Sequence, residues 1–347
     1  MDQQEDGKPA PDDQSSKNMS DEERRKLLKP AVTTEQAVTI IRNLYAADET
    51  DKIEILTQLE SYDDVNFKVS LHDDTYLLKI HNGVESADFI RVYEAAGRSY
   101  KAKGHMGSVI HLQTAMMDLL STNDIPTSAP VFTKEGIPVG IQDLPVVSTE
   151  HGLQPLVVRL LTWVPGKLMS AVPIMPIETL ADCGRLLGRV HAVFNRLDES
   201  SLQSISILQG ATKGMKRRAS LLDFAQEQEP ERKEEMVVTD KIRQAQMWKI
   251  PASGLDTSLL TAARRYHQWD GKHTSDLRNF CQYIPDEKRR AMILSIIDAF
   301  EQEIIDSGDA AEFRVGVNHG DFNDANILLN DDFTARGVID FGDSTER

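Results

Sequence analysis

The sequence contains very few cysteines. Its 347 residues include only Cys183 and Cys281, which lie far apart and outside any CxxC or Cys/His spacing. A disulfide framework and a structural zinc site both depend on closely spaced cysteines, so both are disfavoured. We therefore expect a chain that works in a reducing compartment.

Long apolar runs and targeting segments are also lacking. Nowhere do about 18 apolar residues follow one another, so no membrane-spanning helix is expected. The first residues, MDQQEDGKPAPDDQ, have neither the basic end nor the apolar run of a signal peptide, and their acidity argues against a mitochondrial transit peptide. These absences predict a cytoplasmic protein that has no membrane partner.

Positive charge is scarce as well. The chain has 55 acidic and 39 basic side chains, which gives a formal net charge of -16. This charge opposes the phosphates of a nucleic acid, so a nucleic-acid partner is not expected. An acidic surface would suit a cationic substrate, although acidity also serves solubility in many cytosolic proteins.

The residues that are present supply a sizeable core. Apolar residues make up 40% of the chain and charged residues 27%, as is typical of soluble globular proteins. Since single cores usually stop growing at about 250–300 residues, a chain of this length predicts two lobes or two modest domains.

The first 32 residues differ in composition from the rest. They are rich in Asp, Glu, Lys, Pro and Ser, and they hold too few large apolar residues to offset the entropy of ordering. We predict a disordered tail over 1–32. A helix should follow, because Thr33 and Gln36 have capping-box spacing ahead of an apolar stripe.

Residues 33–163 predict a small lobe. Two β-like runs, 66–70 and 75–80, flank the turn-forming HDD sequence and indicate an antiparallel hairpin. Helices are predicted around 87–96 and 110–120, and further strands at 137–141 and 156–162. The segment ends in a predicted hinge at 163–166, so we interpret it as a nucleotide-binding lobe with an antiparallel sheet.

Residues 164–347 predict a mainly helical second lobe. Apolar residues recur at helical spacing over 176–196 and 288–305. The stretch from about 201 to 268 is polar, lacks a convincing apolar stripe, and is interpreted as an irregular insertion. The fold class is thus α+β.

The most informative segment is VGVNHGDFNDANILLNDDFTARGVIDFGD at 315–343. Asp321, then Asn326 five positions later, then Asp340 in DFG form the pattern of phosphoryl-transfer enzymes. Such a reaction needs a carboxylate to accept the hydroxyl proton, which suits Asp321. It also needs oxygen ligands for Mg²⁺, which suits Asn326 and Asp340 at neighbouring ends of a predicted hairpin.

Two tripeptides of this segment, HGD and DFG, are also common in turns, and either alone would be a weak signal. Here both occur in order, with Asn at the right offset and β-forming residues between them, which favours phosphoryl transfer over two unrelated turns. The neighbouring Asp324 and Asp343 are better interpreted as solvated loop carboxylates than as metal ligands.

A phosphotransferase core also needs a lysine that holds the nucleotide phosphates, and Lys79 ends the apolar strand TYLLKI. A solvated lysine at a strand end is the alternative. The preceding sequence SYDDVNF, with Ser61 and Asp63, lies where a loop over the phosphates belongs. Since it is not glycine-rich, a simple hairpin loop is an equal alternative.

Together these motifs resemble the aminoglycoside phosphotransferase and choline-kinase-like superfamily, and within it most closely the hydroxylysine kinases. The resemblance rests on four segments: SYDDVNF at 61–67, YLLKI at 76–80, VVRLLTWVPG at 157–166, and NHGDFNDANIL with IDFGD at 318–328 and 339–343.

The resemblance implies a bilobal protein-kinase-like fold. It also implies transfer of a γ-phosphoryl group to the 5-hydroxyl of hydroxylysine, with Mg²⁺ as cofactor, GTP as the expected donor and ATP as the alternative. A role in lysine degradation would follow. By similarity, Leu161 to Val164, including Trp163, would face the purine.

The chain departs from this family in three places. The helix that should supply a glutamate to pair with Lys79 is interrupted by GRSYKAKGHMGS; Glu94 is a candidate, while the better-aligned helix offers His111. The partner of Lys79 is thus unassigned, and a helix-surface position of Glu94 is an equal alternative to an ion pair. The stretch 201–268 has no family counterpart. The sequence also stops at Arg347, soon after DFGD, so a truncated C-lobe is expected. The alternatives are therefore a kinase for another amino alcohol or a non-catalytic kinase-fold binding protein.

Overall fold

The computed structural model describes residues 19–46, 48, 50–100, 107–195, 257–267, 270–308 and 315–346. The α-helices are α1 (Asp21–Leu27), α2 (Thr34–Leu44), α3 (Gly83–Ala95), α4 (Val109–Ser121), α5 (Ile177–Phe194), α6 (Thr257–Ala263) and α7 (Glu287–Phe300). The strands are β1 (Ile53–Leu59), β2 (Val65–Leu71), β3 (Asp74–Ile80), β4 (Pro130–Val131), β5 (Gly140–Pro145), β6 (Leu153–Thr162), β7 (Lys167–Leu168), β8 (Val317–Asn318), β9 (Ile327–Leu329), β10 (Ala335–Val338) and β11 (Thr345–Glu346). Short 3-10 helices cover Thr149–His151, Met169–Ala171 and Gly271–Tyr283, and a π-helical turn covers Glu301–Ile305.

The chain divides into two compact units. The first comprises Met1–Asp88 with Val139–Leu160, and the second Phe89–Pro138 with Leu161–Arg347. This division differs from the predicted one at 163/164, because 89–138 belongs to the second unit. The reason is the packing of α4, which lies against α5 and α6 in that unit.

The first unit is built on an antiparallel sheet. Strands β1, β2, β3 and β6 are neighbours in that order, and β5 pairs with β6. Alternate residues of β2 are buried, as a sheet with one covered face requires. The predicted hairpin of β2 and β3 is confirmed, and its register places Asn66 opposite Lys79.

The described part of the predicted disordered tail is ordered, and this corrects the prediction. Ser20 and Glu23 form a capping box at the start of α1. The chain then runs beside β5, with the amide of Ala31 donating to the carbonyl of Pro145 at 2.8 Å. Composition predicted disorder because it does not report these tertiary bonds. Residues 1–18 lie outside the described residues.

Helix α2 begins where the sequence predicted. The Thr33 side chain accepts from the amide of Gln36, the Gln36 side chain accepts in return from the amide of Thr33, and Ala37, Ile40 and Ile41 are buried. The capping box and the apolar stripe therefore identified this helix correctly.

The second unit is mainly helical among the residues that the structure describes. Helix α4 is buried on nearly every side, including the polar His111, and α5 covers most of the predicted 176–196. The predicted insertion at 201–268 lies largely outside the described residues, but its end is regular, since α6 begins at Thr257. None of the described helices is both long enough and apolar enough to span a membrane.

Candidate functional site

The phosphoryl-transfer motif of the second unit folds as the predicted hairpin. Strands β9 and β10 pair antiparallel with Ile327 opposite Val338. The ladder extends by one bond beyond the strands, from the amide of Ile339 to the carbonyl of Asn326 at 3.0 Å. Asn326 and Asp340 therefore lie at adjacent ends of the same hairpin, where the two oxygen ligands were predicted.

Asp321 is held by two asparagines. The Nδ2 of Asn326 donates to its Oδ2 at 2.8 Å and to its backbone carbonyl at 2.9 Å. The Nδ2 of Asn323 donates to Oδ1 at 2.7 Å, so both carboxylate oxygens accept a hydrogen bond. The carboxylate is half-buried and is fixed in direction, as a group that orients a reacting hydroxyl must be.

Asp340 has a different environment. It is exposed, it has a left-handed φ of 62°, and its Oδ1 accepts from the amide of Gly342 at 3.2 Å. Left-handed non-glycine residues are uncommon and concentrate at functional sites. Because Asn326 donates through Nδ2, its amide oxygen and the Asp340 carboxylate are the groups that could hold a divalent cation. Both are hard oxygen ligands, so the residues fit Mg²⁺.

His319 connects the two halves of this motif. Its Nε2 donates to the carbonyl of Ile339 at 3.0 Å, since a carbonyl can only accept, and its Nδ1 accepts from the amide of Asp321 at 3.3 Å. Burial lowers the pKa of His319, against the opposing effect of its bond to Ile339. The imidazole is thus neutral. Its two hydrogen bonds hold the backbone of Asp321 next to that of Ile339, the residue before Asp340. No role was predicted for it from the sequence, although the histidine of HGD was the available signal.

Gly320 allows the end of the motif to fold back on its start. It has a φ of 86°, and a Cβ there would lie 1.9 Å from the carbonyl oxygen of Asp343. The Ser344 hydroxyl donates to the His319 carbonyl at 3.0 Å, and Thr345 in β11 pairs with Asn318 in β8. The segment after DFG is therefore closely packed on the segment that carries Asp321.

Two further aspartates of the motif have other surroundings. Asp343 contacts His267 with 3.1 Å between a carboxylate oxygen and Nε2. Asp324 is exposed, and its carbonyl accepts from the amide of Ser170 at 2.9 Å. The exposed Asp324 agrees with the interpretation as a loop carboxylate, whereas Asp343 contacts His267 in the segment that follows α6.

Lys79, in the first unit, forms a buried ion pair. Its Nζ lies 2.6 Å from Oδ2 of Asp64, and the lysine is only 9% exposed. The other oxygen of Asp64 accepts from the amide of Asn82 at 2.8 Å. Burial is the largest single effect and opposes ionisation of Asp64, but the charge of Lys79, its hydrogen bond and the neighbouring His81 together outweigh burial and lower the pKa of that carboxyl. The alternative of a solvated strand-end lysine is therefore wrong.

Glu94 does not serve as this partner. It is 56% exposed and lies 3.4 Å from Arg98 in the turn that follows α3, so its surroundings are those of a helix surface. Lys79 instead takes its carboxylate from Asp64, at the end of the loop that precedes β2. Asp64 belongs to the SYDDVNF segment, but no role was predicted for it. The two adjacent aspartates directly before β2 were the sequence signal that could have identified Asp64 as the partner of Lys79.

The loop with Ser61 and Asp63 is fixed by the chain that precedes it. The Nζ of Lys29 donates to the carbonyls of Ser61 at 2.7 Å and Tyr62 at 3.0 Å. The carboxylate of Asp63 accepts from the guanidinium of Arg25. Burial and the neighbouring Asp64 raise the pKa of Asp63, while Arg25 opposes this. The loop is thus held by side chains rather than by glycine geometry.

A second network of buried side-chain hydrogen bonds lies next to the Lys79–Asp64 ion pair. The Nε of Arg159 donates to Nε2 of His81 at 2.9 Å, so Nδ1 of His81 carries the proton and donates to Glu85 at 3.2 Å. Burial, followed by the charge of Arg159, lowers the pKa of His81. Asp64, His81 and Glu85 lie close enough to share a metal ion. Their contacts with cationic side chains give the cluster a sufficient structural explanation.

The predicted hinge residues end β6. Leu161 is buried and Trp163 is half-buried. Between them, Thr162 donates its amide to the carbonyl of Ala129 at 2.8 Å, and its hydroxyl accepts from the amide of Ala129 at 2.9 Å. This pair of hydrogen bonds fixes the backbone at the hinge. The purine contacts of Leu161 and Trp163 stay a prediction.

Comparison with curated proteins gives relatives that bear the name hydroxylysine kinase. The chain is 24% identical over 330 residues to hydroxylysine kinase of Xenopus laevis and 22% identical over 320 residues to that of Danio rerio. Each alignment covers 91% of this chain and 66% of the relative, so the chain spans just under two thirds of their length. The GDP complex of aminoglycoside 2'-phosphotransferase-IIIa aligns with a TM-score of 0.47 and 12% identity, over 91% of this chain and 75% of that one.

The family assignment rests on a match over most of the sequence. The model of the phosphotransferase enzyme family matches residues 55–346, a range that includes Lys79, Asp321, Asn326 and Asp340. The chain therefore belongs to the phosphotransferase enzyme family.

Proposed function

We propose that this chain is a small-molecule kinase that transfers the γ-phosphoryl group of a nucleoside triphosphate to a hydroxyl of an amino-alcohol substrate. The observation that carries the proposal is the fixed carboxylate of Asp321, which is bonded to Asn326 at 2.8 Å in the hairpin that also presents Asp340. Hydroxylysine is the proposed substrate because the relatives bear the name hydroxylysine kinase. Its 5-hydroxyl is the proposed acceptor.

Asp321 would orient the substrate hydroxyl and receive its proton as the oxygen attacks the γ-phosphorus. The bond between that phosphorus and the bridging oxygen breaks in the same transfer, and the nucleoside diphosphate leaves. Asn326 and Asp340 would hold Mg²⁺, which neutralises phosphate charge when bound. Lys79 would contact the α- and β-phosphates, and Asp64 would keep its ammonium in place.

The nucleotide is proposed to be GTP, with ATP as the alternative. Leu161 and Trp163 would line the purine, and the loop with Ser61 and Asp63 would cover the phosphates. These assignments are supported by the resemblance of the motifs to the family. A cytoplasmic location and a role in lysine degradation are proposed with them. Both cysteines are free and buried in the structure, which suits a reducing compartment.

The test is phosphoryl transfer by the purified chain with Mg²⁺, using GTP or ATP and a panel of amino alcohols that includes hydroxylysine. Asp321→Asn should lower kcat by about 10²–10⁴-fold because it removes the proton acceptor at nearly unchanged side-chain size. The new amide oxygen can still accept from one of the two asparagines, Asn323 or Asn326. The matched control is Asp324→Asn, the same substitution at an exposed residue three positions away, which should retain activity.

The outcomes separate the alternatives. Transfer only to another amino alcohol would refute hydroxylysine and keep the kinase. Nucleotide binding by calorimetry without Asp321-dependent transfer would refute the enzyme and favour a non-catalytic kinase-fold protein. Equal losses in Asp321→Asn and Asp324→Asn would show that the loop, rather than the Asp321 carboxylate, matters.

A further inference from the structure

Two adjacent carboxylates in the first unit face two different cations. Asp64 pairs with Lys79 at 2.6 Å, whereas Asp63 pairs with Arg25, a residue of α1 that lies 38 positions earlier in the chain. The proposed phosphate-covering loop is therefore joined through Asp64 to Lys79 and through Asp63 to the N-terminal helix.

Arg25 is surrounded by acceptors from three parts of the first unit. Its guanidinium lies 3.0 Å from Asp21 in its own helix and 3.5 Å from Glu85 in α3, in addition to its contact with Asp63. The side chain is only 20% exposed. An arginine with several carboxylate partners at low exposure is a bridge between elements rather than a solvated helix charge.

Asn82 connects the two ion pairs. Its backbone amide donates to Oδ1 of Asp64 at 2.8 Å. Its side-chain Nδ2 donates to the carbonyl of Arg25 at 2.7 Å and to the carbonyl of Asp63 at 3.2 Å. The asparagine is fully buried. A displacement of α1 or of Asp63 would therefore disturb the residue that orients the Asp64 carboxylate.

The rest of the loop is fastened to the same N-terminal segment. Lys29 donates to the carbonyls of Ser61 and Tyr62, and the Tyr62 hydroxyl donates to Glu22 of α1 at 2.7 Å. Residues 61–63 thus each have a partner between residues 22 and 29. In this loop the N-terminal segment takes the place of the glycine-rich backbone geometry that shapes other phosphate loops.

Electrostatics explain why Arg25 is needed. Asp63, Asp64 and Glu85 form one poorly solvated cluster of mutually repulsive carboxylates, and the charges of Asp64 and Glu85 both raise the pKa of Asp63, in addition to the larger effect of burial. Lys79 compensates Asp64, and Arg25 compensates Asp63 and Glu85. Without Arg25 the least buried member, Asp63, is expected to turn outward and carry the loop with it, since an uncompensated buried charge is costly.

We propose that Arg25 is a positioning residue for the nucleotide site: it holds Asp63, and through Asn82 the carboxylate of Asp64, so that the 60–64 loop and Lys79 are presented to the phosphates. This inference rests on the proposed function for its effect on nucleotide. Its structural part, the dependence of the loop on α1, can be tested without that function.

The experiment compares Arg25→Gln with Arg24→Gln, the same change at an exposed arginine one residue earlier in α1. We expect Arg25→Gln to weaken nucleotide binding about tenfold, or ~1.4 kcal/mol by calorimetry. It should raise the nucleotide KM with little change in kcat, and it should speed hydrogen exchange at 60–64 and at the Asn82 amide. Arg24→Gln should behave as the unmodified chain, and Arg25→Lys should recover part of the affinity.

The results decide between positioning and mere stability. Unchanged affinity and exchange in Arg25→Gln would overturn the proposal, as would faster exchange spread evenly over β2, β3 and β6. If the unmodified chain binds neither GTP nor ATP, the proposed function fails. In that case the contrast in loop exchange between Arg25→Gln and Arg24→Gln still tests whether α1 holds the loop.

Discussion

Gly320→Ala should disrupt the motif that carries Asp321. The added Cβ would lie 1.9 Å from the carbonyl oxygen of Asp343, whereas carbon–oxygen contacts settle near ~3.3 Å. One of the two segments must therefore move by roughly 1.4 Å, the difference between these distances. The φ of 86° adds strain of about 1–2 kcal/mol for an L-residue.

Moving the segment of Asp343 would break hydrogen bonds and therefore cost free energy. His267 contacts its carboxylate at 3.1 Å, and the next residue, Ser344, donates to the carbonyl of His319 at 3.0 Å. Each broken hydrogen bond that leaves a buried group unpaired costs about 1–3 kcal/mol. With the strain of the left-handed residue, Gly320→Ala should lower the free energy of unfolding by about 2–5 kcal/mol.

Urea unfolding and phosphoryl transfer should be measured on the same samples. The matched control is Gly184→Ala, in the exposed interior of α5, where a Cβ meets no atom within 4 Å. This control should gain about 0.5–1 kcal/mol, because alanine favours the helix more than glycine does. A Gly320→Ala variant as stable as the unmodified chain, or as active, would show that Asp343 does not pack on Gly320 as described.

Two other predictions concern the first unit. Asp64→Asn should destabilise the chain by about 3 kcal/mol, because it leaves the buried Lys79 without its carboxylate. The double variant Asp64→Asn with Lys79→Met should regain most of this, since the amide oxygen can still accept from the Asn82 amide, and an additive loss would contradict the pairing. The second prediction is a pH dependence of His81, which faces Arg159, Glu85, Asp64 and Lys79. Its pKa is lowered below 6.5 by burial, so the unfolded chain takes up a proton first and stability falls as pH falls below 6.5. The free energy of unfolding should be measured with urea between about pH 5 and 6.5. It should depend on pH more steeply in the unmodified chain than in His81→Gln, by up to ~1.4 kcal/mol per pH unit. Equal pH dependence in the two chains would refute the neutral, Arg159-bonded imidazole.

The segment proposed to be catalytic could be predicted from sequence because its information is local. The hairpin of β9 and β10 is specified by apolar residues around a turn, and its ends lie within fifteen residues of each other along the chain. Antiparallel pairing then brings Asn326 next to Ile339 whatever the rest of the chain does. The same locality identified the hairpin of β2 and β3 and the start of α2, since period and capping act over a few residues.

The N-terminal helix could not be predicted in this way. Its own sequence, DEERRKL, buries no residue in the helix, so composition assigns it to a disordered tail. What orders it is distant: Arg25 meets Asp63 and Glu85, and Lys29 meets the carbonyl of Ser61. Ion pairs and backbone acceptors of this kind leave no periodic signal in the sequence.

The partner of Lys79 illustrates the limit most clearly. Resemblance to a family directs attention to a glutamate on a helix, and Glu94 satisfied that description by type, although the better-aligned helix offered His111. In the structure the carboxylate partner of Lys79 comes from the neighbouring strand instead. Asn66 of β2 lies opposite Lys79 of β3, and Asp64 is the residue directly before β2. A strand register therefore brings Asp64 to the lysine, and an aspartate suffices where the backbone already provides most of the reach. Register is fixed by the burial of alternate residues along β2. Hence the pairing was implicit in the alternation of that strand, and identifying it required placing β2 and β3 side by side rather than matching motifs one at a time.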